Sequence, residues 1–320
     1  MRPSCFGGPP PNRPSSLLRR WGRWWLLPEH RVREERRFRR RILELARQES
    51  FDVIHCHDYP TLAAGLELAA GAPVIYDSHE CWNGRLRHGR PEPIRRKRQL
   101  RDEARMARRA AAVVTVSDEL ADWLAAHLHV PRPLVVRNTF IPPADDEAPL
   151  DEPTGIVYAG RIGPGRDLET AMRARMPDGV PLILAGPMPA DHPSLAGTRY
   201  EGVRSVQDVP GLLTRHGLAL VSLDDSCLNH RLALPNKLFQ AVASGVPVVA
   251  SDLPAIRRIV DEHGIGTLYR PGDARSLGDA VQAAVAAYAE LRDNVEAARN
   301  ELSWKTDGAR LRELYRTLTP

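Results

Sequence analysis

Three cations fall where a folded chain would aim them at an anion. Residues 158–167, Tyr-Ala-Gly-Arg-Ile-Gly-Pro-Gly-Arg-Asp, read as a strand, a glycine-bearing turn and a helix start, with Arg161 and Arg166 on either side of the turn. Glycines such as Gly160 let a backbone approach a ligand closely, and guanidinium groups bind phosphate oxygens two at a time. The spacing is not G-x-G-x-x-G, so a dinucleotide cofactor is not indicated. The third cation lies in residues 234–251, Leu-Pro-Asn-Lys-Leu-Phe-Gln-Ala-Val-Ala-Ser-Gly-Val-Pro-Val-Val-Ala-Ser. Pro235 opens a short helix there, Gly245 falls where a C-terminal cap is expected, and Val246 to Ala250 reads as a buried parallel strand. Asn236 and Lys237 in the first helical turn set backbone donors and an ammonium at one spot, which suits a phosphate.

A second group is built from imidazoles. Tyr76-Asp77-Ser78-His79-Glu80 ends a strand, the place where open α/β sheets carry their sites, and this raises His79 above an ordinary structural histidine. His55-x-His57-Asp58 ends the preceding strand with a spacing that suggests a metal. Without a third clear ligand in the sequence, a structural or acceptor-side role is favoured and no metal is assigned.

The elements that position these residues alternate. Strands are expected at 52–57, 73–77, 112–116 and 134–137, with helices at 31–48, 62–70, 94–109 and 118–128. The rhythm restarts with strands at 155–159, 181–185, 198–201, 218–222, 246–250 and 266–269, and helices close the chain at 276–291 and 308–318. Apolar, β-branched strands alternating with helices indicate doubly wound parallel sheets. Residues 1–50 read as a basic tail with helices, disordered over 1–16, with an amphipathic Trp/Arg helix from Leu17. A first Rossmann-like domain spans 51–140, a proline- and acid-rich linker 141–154, and a second Rossmann-like domain with the terminal helices 155–320.

Together these segments resemble the family-4, group 1 glycosyltransferases of the two-domain GT-B fold. The glycine turn is similar to that family's Gly-Arg-x₄-Lys loop, with Arg166 in place of the lysine. Residues 236–240 fit the Asn-Lys-Leu-Phe-Glu variant, with Gln240 for the glutamate that meets the ribose; the first glutamate of the commoner pattern is absent, Leu232 standing there. An amide can still accept a ribose hydroxyl, without charge assistance. The resemblance implies transfer of a sugar from a nucleotide-diphosphate donor, with retention and without a metal or cofactor. Gly160, Arg161, Arg166, Asn236, Lys237 and Gln240 would hold the donor, and His79, Arg161 and Lys237 would serve the chemistry. No Asp-x-Asp occurs, in keeping with a metal-independent site. Family members carry three more strands before residue 52, so the first domain is expected to be reduced. Two alternatives stay open: a catalytically weak nucleotide-sugar-binding protein and an epimerase of the same fold.

Charge is uneven. Residues 1–109 carry 24 Lys and Arg against 13 Asp and Glu, and the remaining residues 21 against 27, so the first part needs an anionic partner. The run 85–109 holds 11 basic residues but neither aromatics nor a nucleic-acid-reading module, which favours an acceptor or membrane surface over nucleic acid. Cys5, Cys56, Cys81 and Cys227 are scattered without a C-x-x-C pair, which argues for reduced thiols. A cytoplasmic protein, peripheral at the inner face of the membrane, is the expectation. The acceptor, the base and the sugar are not legible.

Overall fold

The computed structural model describes residues 30–85, 93–143, 150–188 and 198–319. The expected disorder at 1–16 and the Trp/Arg helix from Leu17 lie outside them, as do parts of the basic run and of the linker. Residues 1–50 form one compact unit and 51–320 a second. Of the first, helix α1 (His30–Ala46) is described; Arg36, Arg37, Arg39, Arg40 and Arg41 on it are exposed.

The second unit contains two parallel sheets. Four strands, β1 (Ile54–His57), β2 (Val74–Ser78), β3 (Ala112–Thr115) and β4 (Leu134–Val135), pair in chain order. Helix α2 (Asp58–Leu68) follows β1, α3 (Pro93–Ala107) precedes β3, and α4 (Asp118–Leu128) lies between β3 and β4. The other sheet has six strands in the order β10-β9-β8-β5-β6-β7, with β5 (Gly155–Ala159), β6 (Leu182–Ala185), β7 (Arg199–Tyr200), β8 (Gly217–Val221), β9 (Val248–Ser251) and β10 (Gly266–Tyr269). The chain moves outward from β5 to β7 and then returns beside β5 to β8. That order reversal is a topological switch point, where open α/β sheets bind ligands. Strands such as β8 and β9 are buried at every position and read as unbroken apolar runs for that reason.

Three expectations need correcting. The strand expected at 246–250 begins at Val248, because Gly245, with φ +70°, caps the preceding helix and Val246-Pro247 complete the turn. The single helix expected over 276–291 is two, Ala274–Ala286 and Tyr288–Ala298, the chain turning at Ala287 so that Tyr288 and Leu291 reach the core. The last helix, α12 (Trp304–Leu318; the helices between α4 and α12 are α5 to α11 in chain order), was grouped with the second domain. It packs on the first sheet instead, with Leu311, Leu314, Tyr315 and Leu318 against Ile75, Val114 and Val136. Its entry is held by buried Asp307, which accepts from Arg137 Nε at 3.3 Å and from Thr139 Oγ1 at 3.0 Å. Among the described residues no helix is long and apolar enough to cross a membrane.

Candidate active site

The donor-side cations meet at the C-terminal edge of β5. Gly160 adopts φ +148°, and a Cβ there would lie 2.6 Å from Lys237 Cε, so the absence of a side chain is what lets the lysine lie along the turn. Gly186, at the end of β6, is closer still: its Cβ would fall 2.0 Å from the Gly160 carbonyl oxygen. Lys237 Nζ sits 4.8 Å from the centroid of the Tyr158 ring, over its face. Tyr158 is buried and donates to the Arg161 carbonyl at 2.8 Å, which fixes the first bend of the turn. Burial and then the positive charge of Arg166 push the Lys237 ammonium down to about 8. Among the described residues no carboxylate pairs with Arg161, Arg166 or Lys237. Cations without a carboxylate partner raise the local positive potential.

Beneath the turn is a buried polar network that the sequence reading missed. Ser222 Oγ donates to the Arg166 carbonyl at 2.6 Å and meets Tyr269 Oη at 2.8 Å; Tyr269 Oη donates to Asp167 Oδ2 at 3.1 Å. Ser251 Oγ also reaches Tyr269, at 3.0 Å, and the Gly272 N–H donates to Asp167 at 3.0 Å. These residues come from the ends of β8, β9 and β10, and they bring the turn to the switch point. Their signal in the sequence was position alone: each ends a strand or follows a turn.

Helix α8 (Asn236–Ala243) begins after Pro235, which is its N-cap rather than its first residue. The cap makes no side-chain hydrogen bond and the Leu238 N–H donates to the Pro235 carbonyl at 3.0 Å, which leaves the Asn236 and Lys237 N–H groups facing outward from the helix start. Asn236 is exposed and Gln240 half-buried; the backbone carbonyl of Gln240 accepts from the Ser244 hydroxyl at 2.8 Å.

His79 lies in the other half of the unit, and no hydrogen bond or ion pair among the described residues joins it to the three cations. Its surroundings follow from strand register. β1 and β2 are parallel with His57 opposite Asp77, so His55, His57 and Asp77 share one face while Cys56 and Tyr76 face the opposite core. His55 Nε2 donates to Asp77 Oδ2 at 3.0 Å, and Tyr315 Oη meets His55 Nδ1 at 2.7 Å. His79 Nε2 lies 3.3 Å from the same Asp77 oxygen and 2.9 Å from His57 Nδ1; its Nδ1 faces the Asn138 amide at 3.2 Å. The third partner missing from the His55/His57 pair is therefore Asp77. The two rings stack at 4.6 Å with planes 13° apart. His55, His57 and Asp77 each offer one potential ligand atom within 4.8 Å of the others, and in this arrangement the carboxylate serves as a hydrogen-bond acceptor.

The halves touch through the loop after His79. The Cys81 N–H donates to Asn229 Oδ1 at 2.7 Å, Ser117 donates to the Leu232 carbonyl, and Arg258 pairs with Glu119 at 3.0 Å. Asn229 lies on the short helix α7 (Leu228–Leu232), which leads into α8 and Lys237. His79 and Lys237 are thus linked by two short stretches of chain, 79–81 and 229–237, joined by the Cys81–Asn229 hydrogen bond.

Two Rossmann-like halves, the second with a switch point beside Arg161, Arg166 and Lys237, have the architecture of a GT-B glycosyltransferase. The Glycosyltransferase Family 4 model matches residues 4–145 and the Glycosyl transferases group 1 model residues 155–287. Between them they cover most of the chain, which belongs to the family-4, group 1 glycosyltransferases. The fold is similar to that of Anabaena HepE in complex with UDP, with a TM-score of 0.68 at 17% identity over 88% of this chain and 82% of that one. It is also similar to sucrose-phosphate synthase from Thermosynechococcus elongatus, with a TM-score of 0.66 at 18% identity over 88% and 77%. A phosphatidyl-myo-inositol mannosyltransferase of Mycobacterium leprae is 35% identical over 85 residues, a stretch that is 25% of this chain and 22% of that protein.

Proposed function

We propose that this chain transfers a sugar from a nucleoside-diphosphate donor to an acceptor bound by the half containing β1–β4. The observation that carries the reading is Lys237, held against Gly160 and over the Tyr158 ring beside Arg166, with no carboxylate partner among the described residues. As the glycosidic bond breaks, negative charge grows on the leaving diphosphate. Lys237, Arg161, Arg166 and the N-terminal turn of α8 stabilise that charge from fixed positions, without a metal or cofactor. Gln240 accepts a ribose hydroxyl, and His79 faces the transferred sugar. The anomeric configuration is retained.

Crystals of the Anabaena neighbour hold UDP and UDP-glucose, which makes these the first probes to try. In a thermal-shift panel, nucleoside diphosphates raise the Tm of this chain by several degrees and the monophosphates by less, with UDP the base tested first. If no nucleoside diphosphate stabilises the protein, the donor-site reading fails.

The acceptor side belongs with an anionic surface. On and just after α3, Lys97, Arg98, Arg101, Arg105, Arg108 and Arg109 are exposed. We place this face against anionic lipid headgroups in a peripheral, cytoplasmic attachment.

A further inference from the structure

The histidines around Asp77 form a cluster of their own, apart from the three donor-side cations. Three imidazoles converge on its carboxylate from two segments: His55 and His57 from β1, and His79 from the loop after β2. The carboxylate is buried, and its second oxygen, Oδ1, has no hydrogen-bond partner among the described residues. All the polar contacts of Asp77 therefore fall on Oδ2, and they order the rings around it.

We propose that Asp77 is a positioning residue for His79: backed by His55 and Tyr315, its carboxylate holds the His79 ring in one orientation and one proton pattern before the donor binds. This rests on the reading of His79 as a donor-site residue. The proton assignment follows from the partners. Asp77 accepts only, so His55 carries its proton on Nε2, and the bare Nδ1 accepts from the Tyr315 hydroxyl. The Asn138 amide donates to His79 Nδ1, so neutral His79 carries its proton on Nε2, shared between Asp77 and His57. Nδ1 is then the atom a sugar hydroxyl reaches by displacing the Asn138 amide.

The backbone of His79 is held as firmly as its ring. Its N–H donates to Asp58 Oδ1 at 3.0 Å, and Asp58 itself sits at φ +60°, a left-handed conformation unusual for a residue with a side chain. A strained residue kept at a site by its contact with a candidate functional histidine is consistent with positioning. Tyr315 brings in the far end of the chain. It lies on α12, whose apolar stripe packs on the same sheet face, so docking of the last helix completes the arrangement.

The charges facing His79 are Asp77 from the end of β2, Glu80 from its own loop, Asp58 from the start of α2 and His57 from β1. The hydrogen bond to Asp77 raises the His79 imidazolium most, against burial, with the charges of Asp77, Asp58 and Glu80 adding to it; His57 is lowered by burial and by His55. Removing Asp77 takes away the largest raising influence while burial stays.

The test is an NMR titration of the histidine rings in the full chain, wild type beside Asp77→Asn and Tyr315→Phe, with His79 assigned by loss of its signals in His79→Gln. In the wild type His79 titrates above its ordinary value and its neutral form is protonated on Nε2. Asp77→Asn lowers the midpoint by about one pH unit. Tyr315→Phe, which removes one hydroxyl and keeps the helix packing, lowers it by less and shifts the His55 tautomer; it serves as the variant if Asp77→Asn does not fold. UDP release from UDP-glucose falls about tenfold in Asp77→Asn, with its KM changed less than about threefold. An unmoved His79 midpoint in a folded variant overturns the proposal, as does a moved midpoint with undiminished UDP release. Full UDP release by His79→Gln overturns the reading of His79 instead, whichever way the titration goes.

Discussion

Lys237 is where the account is most exposed at the scale of one residue. A lysine held down at about 8 has given up stability to keep its place. In sign, the unfolded chain binds its proton up to the ordinary lysine value and the folded chain releases it near 8. Between those values the unfolded state holds more protons, so folding stability rises with pH there, and below about 8 the full penalty is present. Donor binding runs the other way: the diphosphate needs the ammonium, so UDP affinity falls as pH rises through about 8. Isothermal titration calorimetry between pH 7 and pH 9 checks this. Gly160 is the companion position. Gly160→Ala drives a Cβ into Lys237 at a φ that L residues avoid, and should weaken UDP binding at least about tenfold while destabilising the fold by roughly 1–3 kcal/mol. UDP titration and urea unfolding report the two effects separately.

At the scale of elements, the loop between β2 and α3 is set on a buried carboxyl. Glu103 on α3 is 1% exposed and accepts from Tyr76 Oη and from Asn83 Nδ2, each at 2.7 Å. Burial raises it to about 7, outweighing those two hydrogen bonds. The folded state therefore keeps this proton between the ordinary glutamate value and about 7, and stability from this group falls as pH rises across that window. Asn83 Oδ1 is buried and unpartnered, so an amide at 103 would find an acceptor after a flip of Asn83. Glu103→Gln should flatten that part of the stability profile and raise Tm at pH 8, read by calorimetry at pH 5 and pH 8. The docking of α12 makes a second test. Asp307→Ala leaves Arg137 buried without its carboxylate and should destabilise by about 3–5 kcal/mol in urea unfolding.

The same elements show what could be read from residue order. Helix α4 agrees with its expected bounds because its signals are local: Ser117 caps it, accepting from the Leu120 N–H at 3.1 Å, and Asp118 and Glu119 fill its first turn. The stripe Leu311, Leu314, Tyr315 and Leu318 announced a packed helix but not its partner, since periodicity names a buried face and not the surface that buries it. Lys237, Gly160 and Arg166 were legible together because strand-turn-helix chemistry places them. Asp77 was quoted in its motif without a role, because its function depends on β1 and β2 pairing in parallel with His57 opposite it. Register of that kind is a tertiary property.

For the whole molecule the uneven charge is the main physical fact. The basic excess of residues 1–109 and the exposed cations on and after α3 predict binding to vesicles rich in anionic lipid that weakens with salt. Replacing Lys97, Arg98, Arg101 and Arg105 by glutamine should reduce vesicle co-sedimentation several-fold at 0.1 M salt and leave UDP affinity within about twofold, because those residues are remote in sequence and fold from the donor turn. Retained vesicle binding in that variant would remove the α3 face from the lipid-surface reading and leave the donor site untouched.

The most direct test of the donor site compares UDP affinity and nucleotide-free stability in wild type and Lys237→Met. A lysine kept for a diphosphate should be dispensable to the fold. The variant should lose UDP affinity by at least about thirtyfold, and its nucleotide-free form should be as stable as wild type at pH 7 or more so, by up to about 3 kcal/mol. UDP affinity left unchanged by Lys237→Met, or a nucleotide-free form that unfolds more readily, would contradict the assignment of Lys237 to the donor.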